Sequence, residues 1–248
     1  MAHPDDEAVG CGLLLQQMTD PIVIFATDGA PRAQFFWRDH ESRESYARLR
    51  AQEARSALAC VGVEHFHFLH DANVVADQEL FLNLECAFGA LARVIETELP
   101  DAILTLAYEG GHPDHDACSF LAAAAGVKFE LPIWEMPLYH RRNGSLERQS
   151  FLAGEGIQVL ATADTVARKQ AMFAEYASQA QVLCDFACET EVVRPAPIYD
   201  FSRNPHDGEL NYEAWQWPMR GEDLCRAFEK FLHPSETIVR KREWRTAA

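Results

Sequence analysis

Short strand-like runs alternate with helical segments through the first half of the chain, and this alternation constrains the fold more than any other feature. Residues 22–26, 64–69 and 101–107 are apolar or alternating runs typical of strands. Between them, residues of about 41–60 and 78–99 carry apolar side chains at helical spacing. Strands that alternate with helices pair in parallel and are covered by those helices. The sequence therefore predicts an α/β fold with a doubly wound, mostly parallel sheet and helices on both faces.

The second half of the chain is less regular. Residues 133–139 predict a strand and 165–184 a helix, whereas 194–220 predict an ordered loop region rich in proline and aromatic residues. The 248 residues contain no internal repeat and no clear domain boundary, and 48% of them are hydrophobic. We expect a single domain over residues 1–248.

The charge of the chain argues against nucleic acid as a partner. There are 22 Lys and Arg residues against 38 Asp and Glu, which gives a net charge of −16. A surface of this sign repels a phosphate backbone. One basic cluster near the C-terminus is expected to be a solvated tail; it comprises Arg240, Lys241, Arg242 and Arg245.

Three observations concern the environment of the protein. No run approaches the ~18 apolar residues that a membrane-spanning helix needs. A polar cluster follows Met1 at once, so no signal peptide is expected and the predicted location is the cytoplasm. The seven cysteines are scattered, without a Cys-x-x-Cys pair, and are expected to be small buried hydrophobes in a reducing compartment.

Two polar clusters carry the residues suited to chemistry. The first, Ala2-His3-Pro4-Asp5-Asp6-Glu7, offers one imidazole and three carboxylates. The second, Gly110-Gly111-His112-Pro113-Asp114-His115-Asp116, offers two imidazoles and two carboxylates where a strand gives way to a helix. Either cluster alone is also typical of a turn or a helix cap. The two together, each at a strand–helix junction where such sheets bind ligands, favour a functional site.

The two clusters contain the parts of a hydrolytic metal centre. Catalytic zinc takes three protein ligands and leaves one position for water. One His and one Asp from the first cluster, with one His from the second, would supply that set. A spare carboxylate could act as general base, and a spare imidazole could stabilise an oxyanion or protonate a leaving amine. Ferrous iron suits the same ligands.

These residues resemble the LmbE-like (PIG-L) family of zinc-dependent N-acetylglucosaminyl deacetylases, which implies a Rossmann-like fold. The two motifs at 2–7 and 112–115 are specific for that family. Weaker agreement lies in Arg50-Ala-Gln-Glu53, Ala57, Gly62-Val63, Asp71, Pro100-Asp101, Lys169, Ala171, Tyr176, Ser178 and Gln179. The resemblance covers about residues 2–185 and leaves about 186–248 as a variable C-terminal region.

The resemblance implies catalytic roles for individual positions. His3, Asp6 and His115 would bind one zinc ion per chain. Asp5 would be the general base that acts on the attacking water. His112 would stabilise the tetrahedral oxyanion or serve as general acid.

Three further positions have implied supporting roles. Asp114 would hydrogen-bond an imidazole and hold its orientation. Arg50 and Asp71 would contact sugar hydroxyls. An alternative for Arg50 is a surface ion pair with Glu53, because the two are three residues apart on a predicted helix.

The implied function is the hydrolysis of an N-acyl group, most simply acetyl, from a small-molecule amino sugar or sugar conjugate by a water that the metal activates. An amidase acting on another sugar or thiol conjugate is an alternative, because the shared motifs hold the metal rather than the acyl group. A non-catalytic sugar-binding protein is an alternative from another class. Assembly into a homo-oligomer is compatible with either.

The chain departs from the family pattern in two places. A central hydrophobic strand usually precedes the first motif, and the sequence, which starts at Met1, lacks it. The absence of this strand predicts exposed strand edges and a frayed His3. A late start codon, a truncated chain or lost activity would each explain the missing strand, and we favour an incomplete start. Some relatives also carry a Tyr where this chain has Gly110, with Tyr108 nearby, so different oxyanion contacts are expected.

Three tryptophans have two interpretations. Trp134, Trp215 and Trp217 could stack on a sugar face or pack in the core, and the sequence does not separate these possibilities.

Overall fold

The computed structural model describes residues 1–69 and 75–233. The helices in these ranges are α1 Asp6–Leu15, α2 Arg43–Cys60, α3 Leu84–Glu98, α4 Pro113–Phe129, α5 Ala163–Glu175, α6 Ala180–Leu183, α7 Asn211–Ala214 and α8 Gly221–Leu232. The strands are β1 Val23–Phe25, β2 Phe66–Phe68, β3 Ile103–Leu106, β4 Ile133–Met136, β5 Tyr139–Arg142, β6 Ser145–Arg148, β7 Ile157–Gln158 and β8 Val192–Pro195. Short 3₁₀ helices cover Gln34–Trp37, Leu80–Leu82 and Ala177–Gln179.

Two parallel strand pairs form the centre of the fold. β1 pairs with β2, with Phe25 opposite Phe68, and β3 pairs with β4, with Leu106 opposite Met136. β8 and β7 extend the second sheet antiparallel, in the order β3-β4-β8-β7, while β5 and β6 form a separate hairpin. The predicted α/β, Rossmann-like architecture is confirmed, although the described strands form small sheets rather than one continuous sheet.

The first two residues pack against β1. The amino group of Met1 donates to the carbonyl of Ile24 at 2.7 Å. The Met1 and Ala2 carbonyls accept the N–H groups of the two residues that follow β1, at 2.9 and 3.0 Å. These bonds hold His3, which is 5% exposed, so the expected fraying of this residue is wrong.

Helix α1 carries the first polar cluster and is bent at Cys11, whose φ of −145° is not helical. A bend frees backbone groups that a straight helix would pair. Glu191 accepts two backbone N–H groups just after the bend, at 2.7 and 3.0 Å, and Lys169 donates to the carbonyl of Val9 at 2.9 Å. The two side chains pair at 2.6 Å and are fully buried. We call this pair the Lys169–Glu191 clamp.

Some elements differ from their sequence predictions. The predicted helix 165–184 is interrupted at Tyr176, whose ψ of 57° ends α5. Helices α1 and α8 lie where no element is predicted. Helix α1 is buried on nearly all sides, so it lacks the polar face by which an amphipathic helix is recognised.

The structure shows the state of the cysteines and the character of the helices. All seven cysteines are free. The expectation of buried thiols is wrong for Cys86 and Cys184, which are exposed. No helix in residues 1–69 and 75–233 is long and apolar enough to cross a membrane. The basic cluster at 240–245 lies outside the described residues.

Candidate active site

Three histidines from the two polar clusters meet in one buried place. His3 precedes α1, His112 caps the N-terminus of α4, and His115 lies in the first turn of that helix. One ring nitrogen from each lies within 4.8 Å of the others. We call these residues the histidine cluster. The fold thus brings together imidazoles that the sequence separates by more than a hundred residues.

Asp6 lies against the histidine cluster. Its Oδ1 is 3.1 Å from Nε2 of His115, and its Oδ2 is 3.7 Å from Nδ1 of His3. The backbone N–H groups of Ala2 and His3 donate to Oδ2 at 2.9 and 2.8 Å and fix the carboxylate. Both ring nitrogens of His115 are buried without a hydrogen-bond partner among the described residues. Buried nitrogens are rarely left so, which suits an imidazole that faces a cation.

The charges of the cluster fit a bound cation. Burial lowers the pKa of His3, but the carboxylates of Asp77, Asp114 and Asp6 outweigh this effect and hold that pKa well above its usual value. Burial raises the pKa of Asp6, but His115 and His3 hold it well below its usual value. A divalent cation would supply the positive charge that a protonated imidazole otherwise supplies. The nitrogen and oxygen ligands present therefore fit zinc or ferrous iron.

Asp5 occupies the N-cap of α1 in an unusual conformation. Its φ of 116° lies in the left-handed region, which is costly for a residue with a Cβ and is typical of functional sites. Burial raises the pKa of Asp5 to about 6, against the lowering effect of the Arg50 guanidinium, which lies 3.2 Å away. A carboxylate with this pKa is a better base near neutral pH than a free aspartate.

Arg50 is buried beneath Asp5. Its guanidinium donates to two backbone carbonyls and, at 3.5 Å, to the Tyr46 hydroxyl. Glu53 is also buried and accepts two hydrogen bonds from Ser178, at 2.8 and 2.6 Å. Arg50 and Glu53 are therefore not a surface ion pair. The contact of Arg50 with sugar hydroxyls stays a prediction, since the guanidinium faces protein groups.

The segment after α5 supports the first polar cluster. Tyr176 donates to the buried carboxylate of Glu7. Glu7 in turn accepts the backbone N–H of Asp5 at 3.1 Å. Gln179 donates at 2.7 Å to the Tyr46 hydroxyl, beside Arg50. The Tyr-x-Ser-Gln pattern is thus part of the support beneath the cluster.

Asp114 and Asp77 complete the buried site. Oδ2 of Asp114 lies 3.1 Å from Nε2 of His3. The same carboxylate accepts two backbone N–H groups of the segment after β2, at 2.6 and 2.9 Å. This places Oδ1 of Asp77 3.2 Å from Nε2 of His112 and 3.4 Å from Nε2 of His3.

Sequence reasoning missed two residues of this site. It chose Asp71, which lies outside the described residues, whereas Asp77 contacts the histidine cluster. Both follow β2, and an Asp after a strand is the only signal that either carries. The second is Tyr139, whose ring centroid lies 5.3 Å from that of His115. It is the last residue of the predicted strand 133–139, which gave no reason to place it in the site.

Two tryptophans lie near the histidine cluster. The ring centroid of Trp217 lies 5.0 Å from that of His112 and 5.1 Å from that of Trp215. Trp215 is 44% exposed. Trp134 and Trp217 both pack against the core. Stacking of a tryptophan on a sugar face stays a prediction.

The fold and the site define an α/β protein with a candidate metal centre at the ends of its parallel strands. Comparison with known families identifies the group to which it belongs. The profile of the PIG-L family, described as GlcNAc-PI de-N-acetylase, matches residues 1–126. The chain belongs to this family.

Individual relatives agree with this assignment. The diacetylchitobiose deacetylase of Thermococcus kodakarensis is 32% identical over 132 residues, which are 50% of this chain and 46% of that protein. The match therefore spans about half the length of that curated relative.

Two solved structures share the fold. One is a deacetylase triple mutant from the teicoplanin biosynthetic pathway, with 22% identity, a TM-score of 0.59, and coverage of 73% of this chain and 81% of that chain. The other is the A40926 pseudoaglycone deacetylase, with 18% identity, a TM-score of 0.60, and coverage of 79% and 96%. At these identities the two structures establish similarity of fold.

Proposed function

We propose that the protein is a metal-dependent hydrolase that removes an N-acyl group, most simply acetyl, from an amino sugar or amino-sugar conjugate. Membership in the PIG-L family supports a deacetylase. So does similarity to a protein named diacetylchitobiose deacetylase. The observation that carries the proposal is the buried histidine cluster, in which neither ring nitrogen of His115 makes a hydrogen bond among the described residues, although Nε2 lies 3.1 Å from Oδ1 of Asp6.

His3, Asp6 and His115 would hold one zinc ion, with ferrous iron as the alternative. When bound, the ion would polarise the amide carbonyl and make a water molecule more acidic. The mixed nitrogen and oxygen ligands support this assignment.

The remaining residues would move protons and hold geometry. Asp5, with its raised pKa, would take the proton of the attacking water, while Arg50 holds its carboxylate in place. His112 would deliver a proton to the leaving nitrogen. Asp114 would orient the ring of His3 through its contact with Nε2.

The same residues would also serve an amidase acting on another sugar or thiol conjugate, because they bind the metal and the water rather than the acyl group. We propose a small-molecule substrate as the partner. The single domain over residues 1–248 and the cytoplasmic location stay predictions.

The experiment is to measure zinc content and acetate release from N-acetylglucosamine, with and without chelator. Three proteins are compared: the unaltered chain, His115→Ala, and the control His65→Ala. His65 is an exposed histidine before β2, so its loss removes an imidazole without touching the site.

The proposal expects one zinc per chain and chelator-sensitive acetate release, both lost in His115→Ala and kept in His65→Ala. A folded protein that binds no metal and releases no acetate would contradict it. Such a protein that still binds the sugar would support the non-catalytic alternative. Release of acetate at equal rates from both variants would contradict the assignment of the metal site.

A further inference from the structure

Hydrolysis of an amide places negative charge on the carbonyl oxygen, and a hydrogen-bond donor aimed at that oxygen lowers the barrier. Two candidate donors are the imidazole of His112, within the histidine cluster, and the hydroxyl of Tyr139, next to it. Their contacts distinguish them.

His112 directs its proton elsewhere. Its Nδ1 accepts the backbone N–H of Asp114 at 3.1 Å, so that nitrogen carries no proton. Its Nε2 lies 3.2 Å from Oδ1 of Asp77, so the proton on this nitrogen faces a carboxylate. The proton of this ring therefore faces Asp77 rather than an oxyanion.

Tyr139 has a hydroxyl that the protein leaves available. Its ring centroid lies 5.3 Å from that of His115 and 6.3 Å from that of Trp215. Within residues 1–69 and 75–233, its hydroxyl makes no hydrogen bond. A tyrosine hydroxyl has an ordinary pKa of about 10, so it carries its proton near neutral pH.

The backbone fixes Tyr139 against the second polar cluster. Glu109 accepts the backbone N–H of Tyr139 at 2.9 Å and that of the preceding residue at 2.8 Å. A Cβ on Gly111 would lie 1.9 Å from the Tyr139 carbonyl oxygen, so only glycine permits this approach. Tyr108, the other tyrosine near the cluster in sequence, donates its hydroxyl to a backbone carbonyl at 2.7 Å.

We infer that the Tyr139 hydroxyl donates the hydrogen bond that stabilises the oxyanion, and that Tyr139 is therefore a catalytic residue. The inference rests on the proposed function. As water adds to the amide carbon, a C–O bond forms, Asp5 takes one water proton, and the carbonyl electron pair moves to the oxygen that Tyr139 contacts. The proton held by Asp5 passes to the neutral ring of His112. The C–N bond then breaks as the C=O bond re-forms, the electron pair of the C–N bond goes to nitrogen, and the His112 imidazolium gives that nitrogen its proton. Asp5, His112 and Tyr139 are then in their starting states.

The test compares Tyr139→Phe with Tyr108→Phe. Both substitutions remove one hydroxyl and keep the ring, so packing is retained in each. We expect Tyr139→Phe to lower kcat by about 10²- to 10³-fold, the usual loss for one oxyanion donor. KM should stay within about threefold, because the contact forms only in the transition state. Tyr108→Phe should keep kcat within about threefold, since its hydroxyl bonds outside the site.

A second readout does not depend on turnover. The methylphosphonamide of glucosamine carries a tetrahedral anionic group where the acetyl group would be. Calorimetry should show at least about tenfold weaker binding of this compound to Tyr139→Phe. Zinc content and the affinity for glucosamine should not change.

The outcomes separate the two proposals. If the unaltered chain releases no acetate, the proposed function fails. If it releases acetate and Tyr139→Phe does so within threefold of its rate, only the role of Tyr139 is overturned. Unchanged phosphonamide binding, or an equal loss of kcat in Tyr108→Phe, would overturn it as well.

Discussion

Breaking the Lys169–Glu191 clamp by Lys169→Met should destabilise the protein strongly. Both side chains are fully buried and lie 2.6 Å apart. The substitution keeps most of the side-chain volume but leaves the Glu191 charge buried without its partner. It also removes the donor to the Val9 carbonyl at the bend of α1.

The size of the effect follows from these contacts. Removing one partner of a buried ion pair costs about 3–5 kcal/mol. For a chain of this size, that loss lowers Tm by about 6–20 °C. The double variant Lys169→Met/Glu191→Gln should recover part of the loss. It removes the orphaned charge and keeps an amide oxygen that can accept a backbone N–H of α1.

The assay is urea unfolding of metal-free protein, so that metal binding does not contribute to the free energy. Arg168→Met is the matched control, because Arg168 is adjacent to Lys169 on the same helix. Arg168 forms an ion pair with Asp164 at 3.0 Å on the protein surface, where the two side chains are 54% and 73% exposed. An exposed pair of this kind contributes at most about 1 kcal/mol. The reasoning is refuted if Lys169→Met loses no more stability than Arg168→Met, or if the double variant is less stable than the single one.

Three other predictions concern the site. Asp5→Asn should lower kcat by about 10²- to 10⁴-fold, since the base is lost, while zinc content stays unchanged; retained activity would show that another group takes the proton. Gly111→Ala should have a Tm well below that of the unaltered protein, because its Cβ would lie 1.9 Å from the Tyr139 carbonyl oxygen. The control Gly89→Ala, in a helix where the nearest neighbour of the added Cβ is at 3.8 Å, should be tolerated. Equal Tm values for the two variants would contradict this contact. When free zinc is present at about 100 times its Kd, removing it with chelator should lower the free energy of unfolding by about 2.7 kcal/mol. His115→Ala should show no such chelator effect if His115 is a ligand.

The predictability of the site depended on how its residues are distributed along the chain. The first and second polar clusters each hold several ligand-type side chains within a few residues, so they could be recognised locally. Asp77 and Tyr139 stand alone in sequence. Asp77 reaches the histidine cluster only because Asp114 holds its segment, and Tyr139 only because Gly111 permits the approach of β5. Such contacts belong to the tertiary structure and leave no local pattern.

The fold was predictable for a similar reason. Parallel strands and amphipathic helices are repeated local patterns, and β1, β2 and β3 lie within their predicted runs. Helix α1 was not predicted because it is buried on nearly all sides, so its sequence does not alternate between an apolar and a polar face. The break at Tyr176 was not predicted, and the tyrosine donates to Glu7, which is distant in sequence.

Asp114 has a consequence for how variation at this site should be interpreted. Its carboxylate holds the backbone of Gln78 and Leu80, and these flank the position from which Asp77 reaches the histidines. A substitution at Asp114 therefore alters two carboxylates of the site at once. Changes at Asp114 and Asp77 should not add, because the first already displaces the second. Across related chains, these two positions should therefore be inherited as a unit, and a chain that has lost one has little reason to retain the other.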